Sequence, residues 1–379
     1  MLVAHRIRLD PNKVQCTRLA RAAGVARFAY NWALTEWGNQ YAAWKADPAL
    51  PRPSEAALRR QLNAIKREQF PWMLEVTKCA PQMAIIQLGR AFDNFFAGRA
   101  RYPRYRRKGV DDRITISNDQ FQVDGPRLRL PKLGWIRMRE VLRFTGHIVS
   151  ACLSRTADHW YASITVDCPD PHLPSAENQG AVGVDLGVTH LATLSTGETV
   201  EGPKALRRML GRLRRLSRAL SRKVKGSANR AKARLKLARL YERITHLRRE
   251  GLHQLTTSLA RRFHTIGIED LNVKGMLRNR KLARAIADMG FHEFRRQLLY
   301  KAARYGSKVI AVDRWYPSSK TCSGCSHVLD VLTLAQRSWA CPVCGVDHDR
   351  DVNAAVNLMK MAVSSTVTAC GGVQRWPGA

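Results

Sequence analysis

Four cysteines, Cys322, Cys325, Cys341 and Cys344, form two Cys-x2-Cys pairs separated by fifteen residues. Thiolates at this spacing can meet in one tetrahedron and fill every position around a zinc ion. The pattern predicts a closed, structural Zn²⁺ site with no place for an activated water. Its metal would contribute on the order of 10 kcal/mol to folding a short module. His327 and His348 flank the knuckles and read as surface or packing residues.

Three carboxylates suggest a second chemistry. Asp185 is the one charge in the apolar stretch AVGVDLG, where burial without a partner is costly. Glu269 ends the apolar run TIGIE, and Asp351 opens a helix-like run, Val352 to Met361. Singly, each has a structural reading: a salt-bridged aspartate, a strand-end glutamate, a helix N-cap. Together they suit phosphodiester hydrolysis, in which carboxylates from different elements hold two divalent ions ~3.5–4 Å apart around the phosphate. Strand Asp, strand Glu and helix-start Asp is the chain order of a ribonuclease H-like fold. Asp349 is a near neighbour that ranks below Asp351.

The elements that must position these groups can be read from periodicity. HRIRLD alternates as a strand over residues 3–9, and Asp10-Pro11 suggests an N-cap followed by proline at the first helical position. Helical spacing follows over about 11–46, with Leu19, Ala23, Ala26, Tyr30, Ala33, Leu34 and Trp37 on one stripe, and again near 54–68 and 80–97. The last of these carries Met83, Ile86, Leu88, Phe92, Phe95 and Phe96. From 113 to 168 short alternating runs between turn residues predict a small antiparallel barrel that the strand at 3–9 joins. A linker, CPDPHLPSAENQG, precedes a new domain near Ala181. Residues 203–262 predict a helical hairpin around KGSAN, with leucine stripes (Leu206 to Leu220; Leu237 to Leu259, including Leu247) as its seam. A helix near 291–306 and a strand, KVIAVD, lead to the first knuckle. The tail after Met361 shows no periodic pattern and is expected to be flexible.

Charge narrows the partners. The formal net charge is +34, and the hairpin alone carries 20 Lys or Arg against Glu242 and Glu250. Such an excess calls for a polyanion, and nucleic acid is the fitting one. RARYPRYRRKG interleaves Arg99, Arg101, Arg104, Arg106, Arg107 and Lys108 with Tyr102 and Tyr105. Read as an exposed linker, it would contact phosphates and stack tyrosines on bases. No run of ~18 apolar residues predicts a membrane span, and MLVAHRIRLDPNK lacks a signal-peptide layout. The remaining cysteines, Cys16, Cys79, Cys152, Cys168 and Cys370, are scattered, which suits a reducing cytoplasm.

GVDLGVTHLATLSTGE, GIEDLNVKGM, YPSSKTCSGCS and LTLAQRSWACPVCGVDHDRDVNAAVNL closely resemble the TnpB family of bacterial insertion sequences. AGVARFAYNWAL and RARYPRYRRKG are similar as well, so the resemblance covers most of the chain. Members are RNA-guided DNA nucleases related to type V CRISPR effectors. The resemblance implies that Asp185, Glu269 and Asp351 bind Mg²⁺ (or Mn²⁺) in one RuvC-like centre and that the four cysteines hold Zn²⁺. It implies a noncoding guide RNA from the transposon end, double- and single-stranded target DNA, a monomer with its RNA, and a cytoplasmic, nucleoid-associated location. The implied fold is α/β multidomain. It has a wedge-like β-barrel (1–10 and 110–170), a helical recognition insert (11–109) and a RuvC-like nuclease domain (180–317 and 346–362). A zinc ribbon (318–345) and a tail (363–379) complete it. Ser326 stands where a glycine is usual and Leu358 where isoleucine is common. Two other members of the range of readings are a guided repressor, which predicts a lost carboxylate, and a strand-joining transposase. The VDLGVT turn alone would also suit a sugar-kinase or actin-like ATPase.

Overall fold

A computed structural model describes residues 1–110, 112–169, 180–333 and 335–368. The chain divides into two compact units, Met1–Asp170 and Pro171–Ala379. Most of the expected linker and the last part of the tail lie outside the described residues.

In the first unit β1 (Leu2–Asp10) buries His5, Ile7 and Leu9 in alternation, the period of a half-covered strand. Helices α1 (Lys13–Ala46), α2 (Glu55–Gln69) and α3 (Cys79–Phe96) follow, with a 3₁₀ turn, Pro71–Glu75, between the last two. All seven residues expected on the inner stripe of α1 are buried. Its cap is not Asp10. Asn12 and Gln15 form a reciprocal capping box, because Asp10 is still paired in the sheet and its carboxylate meets Arg139 at 3.1 Å. On α3 the inner stripe runs through Ala84, Ile85, Leu88 and Phe92; Ile86 and Phe95 are half-buried and Phe96 is exposed. The Trp37 and Phe92 rings stack at 4.1 Å and join α1 to α3.

Strands β2 (Arg113–Ser117), β3 (Gln122–Asp124), β4 (Arg127–Leu130), β5 (Gly134–Met138), β6 (His147–Thr156) and β7 (His159–Asp167) complete an antiparallel sheet. Its order is β2-β6-β7-β1-β5-β4-β3, so β1 enters between β7 and β5. The sheet runs from an edge at β2 to an edge at β3, and no ladder joins the two among the described residues.

The second unit holds a five-stranded sheet: β8 (Ala181–Asp185), β9 (Ala192–Leu194), β10 (Thr199–Val200), β11 (Thr265–Glu269) and β12 (Lys308–Val312), in the order β10-β9-β8-β11-β12. Strands β8, β11 and β12 are parallel, β9 pairs antiparallel with β8, and β10 pairs antiparallel with β9. Between β10 and β11 lies a hairpin of α4 (Ala205–Ser221) and α5 (Ala228–Arg262). Its seam is Ala205, Leu206, Met209, Leu213 and Leu216 against Leu240 and Ile244. Leu247 is exposed rather than in the seam, and the last part of α5 leaves the hairpin. There Leu252, Leu255 and Leu259 pack with Val182, Val184, Ile266 and Ile268 of the sheet. Asp288 accepts hydrogen bonds from the amides of Leu206 and Arg207 and pairs with Arg248 at 3.1 Å, supplying the cap α4 lacks locally.

Helices α6 (Val273–Met276), α7 (Ala283–Met289) and α8 (Phe291–Tyr305) lead to β12. The cysteine segment carries a small hairpin, β13 (Ser338–Ala340) and β14 (Asp347–Asp349), and runs directly into α9 (Arg350–Thr368). The helix therefore continues through 368, past the point where the sequence pattern fades. No helix among the described residues is long and apolar enough to cross a membrane.

Candidate functional site

Side chains on a strand alternate, and that period places the carboxylates. Val182, Val184, Ile266 and Ile268 face α5 and α8, so Gly183, Asp185, Gly267 and Glu269 face the other way, toward α9. Gly183 and Gly267 are direct neighbours in the parallel register, as are Val184 and Ile268, which brings Asp185 and Glu269 side by side at the strand ends. A Cβ on Gly183 would fall on the carbonyl of Ala355 and 2.6 Å from the Met359 amide. On Gly267 it would lie 2.5 Å from the Leu358 carbonyl and 2.9 Å from the Ala362 Cβ. The glycine pair lets the backbone of α9 lie directly on the sheet.

That close approach sets the first turn of α9, and Asp351 with it, beside Asp185. Apolar surroundings and the neighbouring Asp351 and Glu269 carboxylates push the Asp185 carboxyl up to about 7, against a smaller opposing pull from Arg350. Burial, then Asp270, raises Glu269 as well. Asp351 is not the helix cap. Asp349 takes that role, its Oδ1 accepting from the amides of Asp351 (3.0 Å) and Val352 (2.9 Å), which leaves the Asp351 carboxylate to Arg337 at 3.5 Å. Asp270, adjacent to Glu269, is held low by Arg295, at 2.5 Å, and Arg314. A buried Asp185 beside two further carboxylates is an arrangement that could hold a divalent cation.

The four cysteine sulfurs lie within 4.8 Å of one another, and Cys322–Cys344 and Cys325–Cys341 are each 3.6 Å apart. Tetrahedral zinc with ~2.3 Å bonds needs sulfurs just under ~4 Å apart, so the donor set fits. Backbone amides of Cys344 and Val343 help draw the Cys341 thiol down to about 6, toward the thiolate a metal requires. His348 is buried, with Nε2 3.1 Å from the Cys322 sulfur and its ring 4.6 Å from Trp339; it packs the ribbon from within rather than lying on its surface. His327 contributes its backbone carbonyl, which accepts from the Cys322 amide. Asn353 and Asn357, one turn apart on α9, both donate to the carbonyls of Ser318 and Thr321. Ribbon and helix are thus tied beside Asp351.

In the first unit the segment 99–108 is extended but docked. Arg106 is clamped by Asn31, stacks over Tyr30 at 3.7 Å and donates to Gln87, so its guanidinium serves the fold. Tyr102 meets Phe92 and Phe95 edge-on, at 5.5 and 5.3 Å. Arg99, Arg101, Arg104, Tyr105, Arg107 and Lys108 are exposed.

Residues 163–280 match a family model described as "Probable transposase", residues 291–358 one described as "Cas12f1-like, TNB domain", and residues 1–45 one described as "Helix-turn-helix domain". The chain is 40% identical to the "Putative RNA-guided DNA endonuclease" of Streptomyces pristinaespiralis, covering 97% of this chain and 90% of the relative. It is 33% identical to the "Putative RNA-guided DNA endonuclease InsQ" of Escherichia coli K12, covering 98% and 94%. The chain belongs to the TnpB family. Its fold is shared with Cas12f1, solved by cryo-EM with sgRNA and target DNA: the TM-score is 0.55 at 14% identity, over 92% of this chain and 83% of that one.

The helix-turn-helix label falls on one strand and one long helix, β1 and α1. Ser326, which stands where the resemblance leads one to expect glycine, has φ +65°, the left-handed region in which a Cβ is strained. The glycines under α9 carried a readable signal, since glycine inside an apolar strand marks close backbone approach. Asn353 and Asn357 carried none beyond their helical spacing.

Proposed function

We propose that this TnpB protein is an RNA-guided DNA endonuclease of a mobile element, with one RuvC-like centre cutting both strands in turn. The observation that carries the reading is the convergence of Asp185, Glu269 and the cap-free Asp351 at one end of the sheet. The strand order β10-β9-β8-β11-β12, with an antiparallel arm beside three parallel strands, supports a ribonuclease H-like nuclease domain. Asp185, Glu269 and Asp351 would hold Mg²⁺ or Mn²⁺, and Cys322, Cys325, Cys341 and Cys344 would hold Zn²⁺. Held there, divalent ions would supply water activation and charge neutralisation at the scissile phosphate. The chain's own part is to fix three carboxylates on rigid elements, with Asp349 absorbing the helix-capping duty. The ribbon braces the start of α9 through Asn353 and Asn357.

In the first unit the sheet would act as a barrel-like wedge and α1–α3 as the recognition insert. With the exposed cations of 99–108 they would hold a noncoding RNA from the transposon end and read a short motif beside the target. The guide RNA would supply sequence by base pairing, and protein cations would supply phosphate contact. The protein would act as a monomer with its RNA on double- and single-stranded DNA.

The description "Probable transposase" keeps strand joining as a second reading. The test is to purify the protein with its copurifying RNA, sequence that RNA, and supply DNA matching its guide region in Mg²⁺. Cleavage that follows the guide, and stops with chelator, supports the endonuclease. Joining of transposon ends without RNA, or recovery of only random cellular RNA, overturns it.

A further inference from the structure

One stripe of α1 opens a surface notch of about 550 Å³ on the first unit, walled by Trp72 and Tyr105. The walls are aromatic and partly bare. Phe28 meets Trp72 edge-on at 5.1 Å, while Trp72 and Tyr105 remain 40% and 57% exposed. They are also held in place. The Tyr105 hydroxyl lies 3.1 Å from that of Thr35, and the Asn31 amide grips both the N–H and the carbonyl of Arg106. A wall fixed before binding loses little entropy when a ligand arrives.

Glu36 stands at the end of this stripe. Its Oε2 accepts from Gln61 at 3.3 Å, and no cation pairs with it among the described residues. The cation inside the notch, Arg27, is committed to Asp112 at 2.9 Å. In a chain with 64 Lys or Arg and 30 Asp or Glu, an acid beside aromatic plates with no ion-pair partner among the described residues is a notable arrangement. Aromatic plates take base faces, and a carboxylate takes N–H donors. Of the four bases, guanine offers a ring N–H and an exocyclic amine side by side, matching the two lobes of a carboxylate. Arg104, exposed next to Tyr105 in the chain, provides charge for the attached phosphate.

We propose that this notch binds one unpaired guanine nucleotide of a single strand, stacked by Trp72 and Tyr105 and read by Glu36. The site needs no cleavage activity.

The test uses the full chain and short labelled oligouridine strands carrying one central guanine, adenine or cytosine, with oligothymidine counterparts. The guanine strand should bind at least about fivefold more tightly, the discrimination of one bidentate base contact. Glu36→Gln should remove that preference and leave the salt dependence unchanged, and Trp72→Ala should weaken all strands alike. Whichever sugar binds more tightly identifies the strand as RNA or DNA. A 6-thioguanosine strand should photo-crosslink to peptides containing Trp72 or Tyr105. Equal affinity for the three bases, a preference that survives Glu36→Gln, or crosslinks confined to other peptides would overturn the proposal. Because no guide is used, a failure of guided cleavage would leave this result standing.

Discussion

The cysteine cluster and the carboxylate cluster of the second unit are built in opposite ways. The four cysteines lie within residues 322–344, on two knuckles that bend around a shared centre. The three carboxylates are separated by 84 and 82 residues (185 to 269, 269 to 351) and meet only because two strands run in register and a helix lies against them. A local cluster depends on its own spacing. A distributed one depends on the packing of everything between its members. The two are nevertheless coupled, since the ribbon's carbonyls at Ser318 and Thr321 are held by Asn353 and Asn357 of the helix that carries Asp351.

The largest effect should come from the local cluster. Cys341→Ser should eliminate bound zinc, measured by metal analysis, and remove on the order of 10 kcal/mol from the folding of the ribbon. If the coupling through α9 is real, cleavage should fall with it although no carboxylate is touched. A ribbon variant with no zinc and undiminished cleavage would separate the two clusters.

Next is the charge stored at Asp185. Its folded-state carboxyl, raised to about 7 from an ordinary 3.8, binds a proton that the unfolded chain has already lost. Without metal, stability is therefore greatest below about pH 4 for this group and declines as pH rises through about 7. Asp185→Asn should stabilise the metal-free protein at pH 8 by about 3 kcal/mol, allowing for its partly open surroundings, and by almost nothing at pH 4. Mg²⁺ should raise the melting temperature of the wild type more at pH 8 than at pH 5, and should not do so in the variant. A metal-independent, pH-flat difference would contradict the assignment.

Packing comes third. Gly183→Ala or Gly267→Ala forces a methyl into the backbone of α9 and should cost about 2–3 kcal/mol in denaturant melts, with loss of cleavage greater than the stability change explains. Unaltered stability would show that α9 does not rest on those glycines. The smallest effect is Ser326→Gly, which relieves a left-handed backbone and should stabilise the ribbon by about 1 kcal/mol.

These predictions also trace what could be read from the sequence. The thiol cluster was legible because its information is local: residue type and spacing are the whole argument. The strand-end positions of Asp185 and Glu269 followed from apolar runs with a terminal acid. Their closeness did not, since register is a tertiary property. By its place before the apolar run Asp351 has a helix N-cap as its structural reading, and only the amide geometry gives that role to Asp349. Similarly, Asp10-Pro11 looked like a cap until sheet pairing claimed Asp10. Leu247 fits a helical stripe by spacing but points outward, because α5 changes partners from α4 to the sheet along its length. Arg106 looked like its basic neighbours, yet Tyr30 and Asn31 hold it in the fold.

The central claim is that Asp185 acts with Glu269 and Asp351 at the scissile phosphate. It is tested most directly by comparing wild type and Asp185→Ala, each assembled with the same guide RNA, on matching DNA in Mg²⁺. Cleavage should fall by at least about a thousandfold while guided binding to the same DNA stays within about twofold. Cleavage by Asp185→Ala at the wild-type rate, with binding equally intact, would contradict the account.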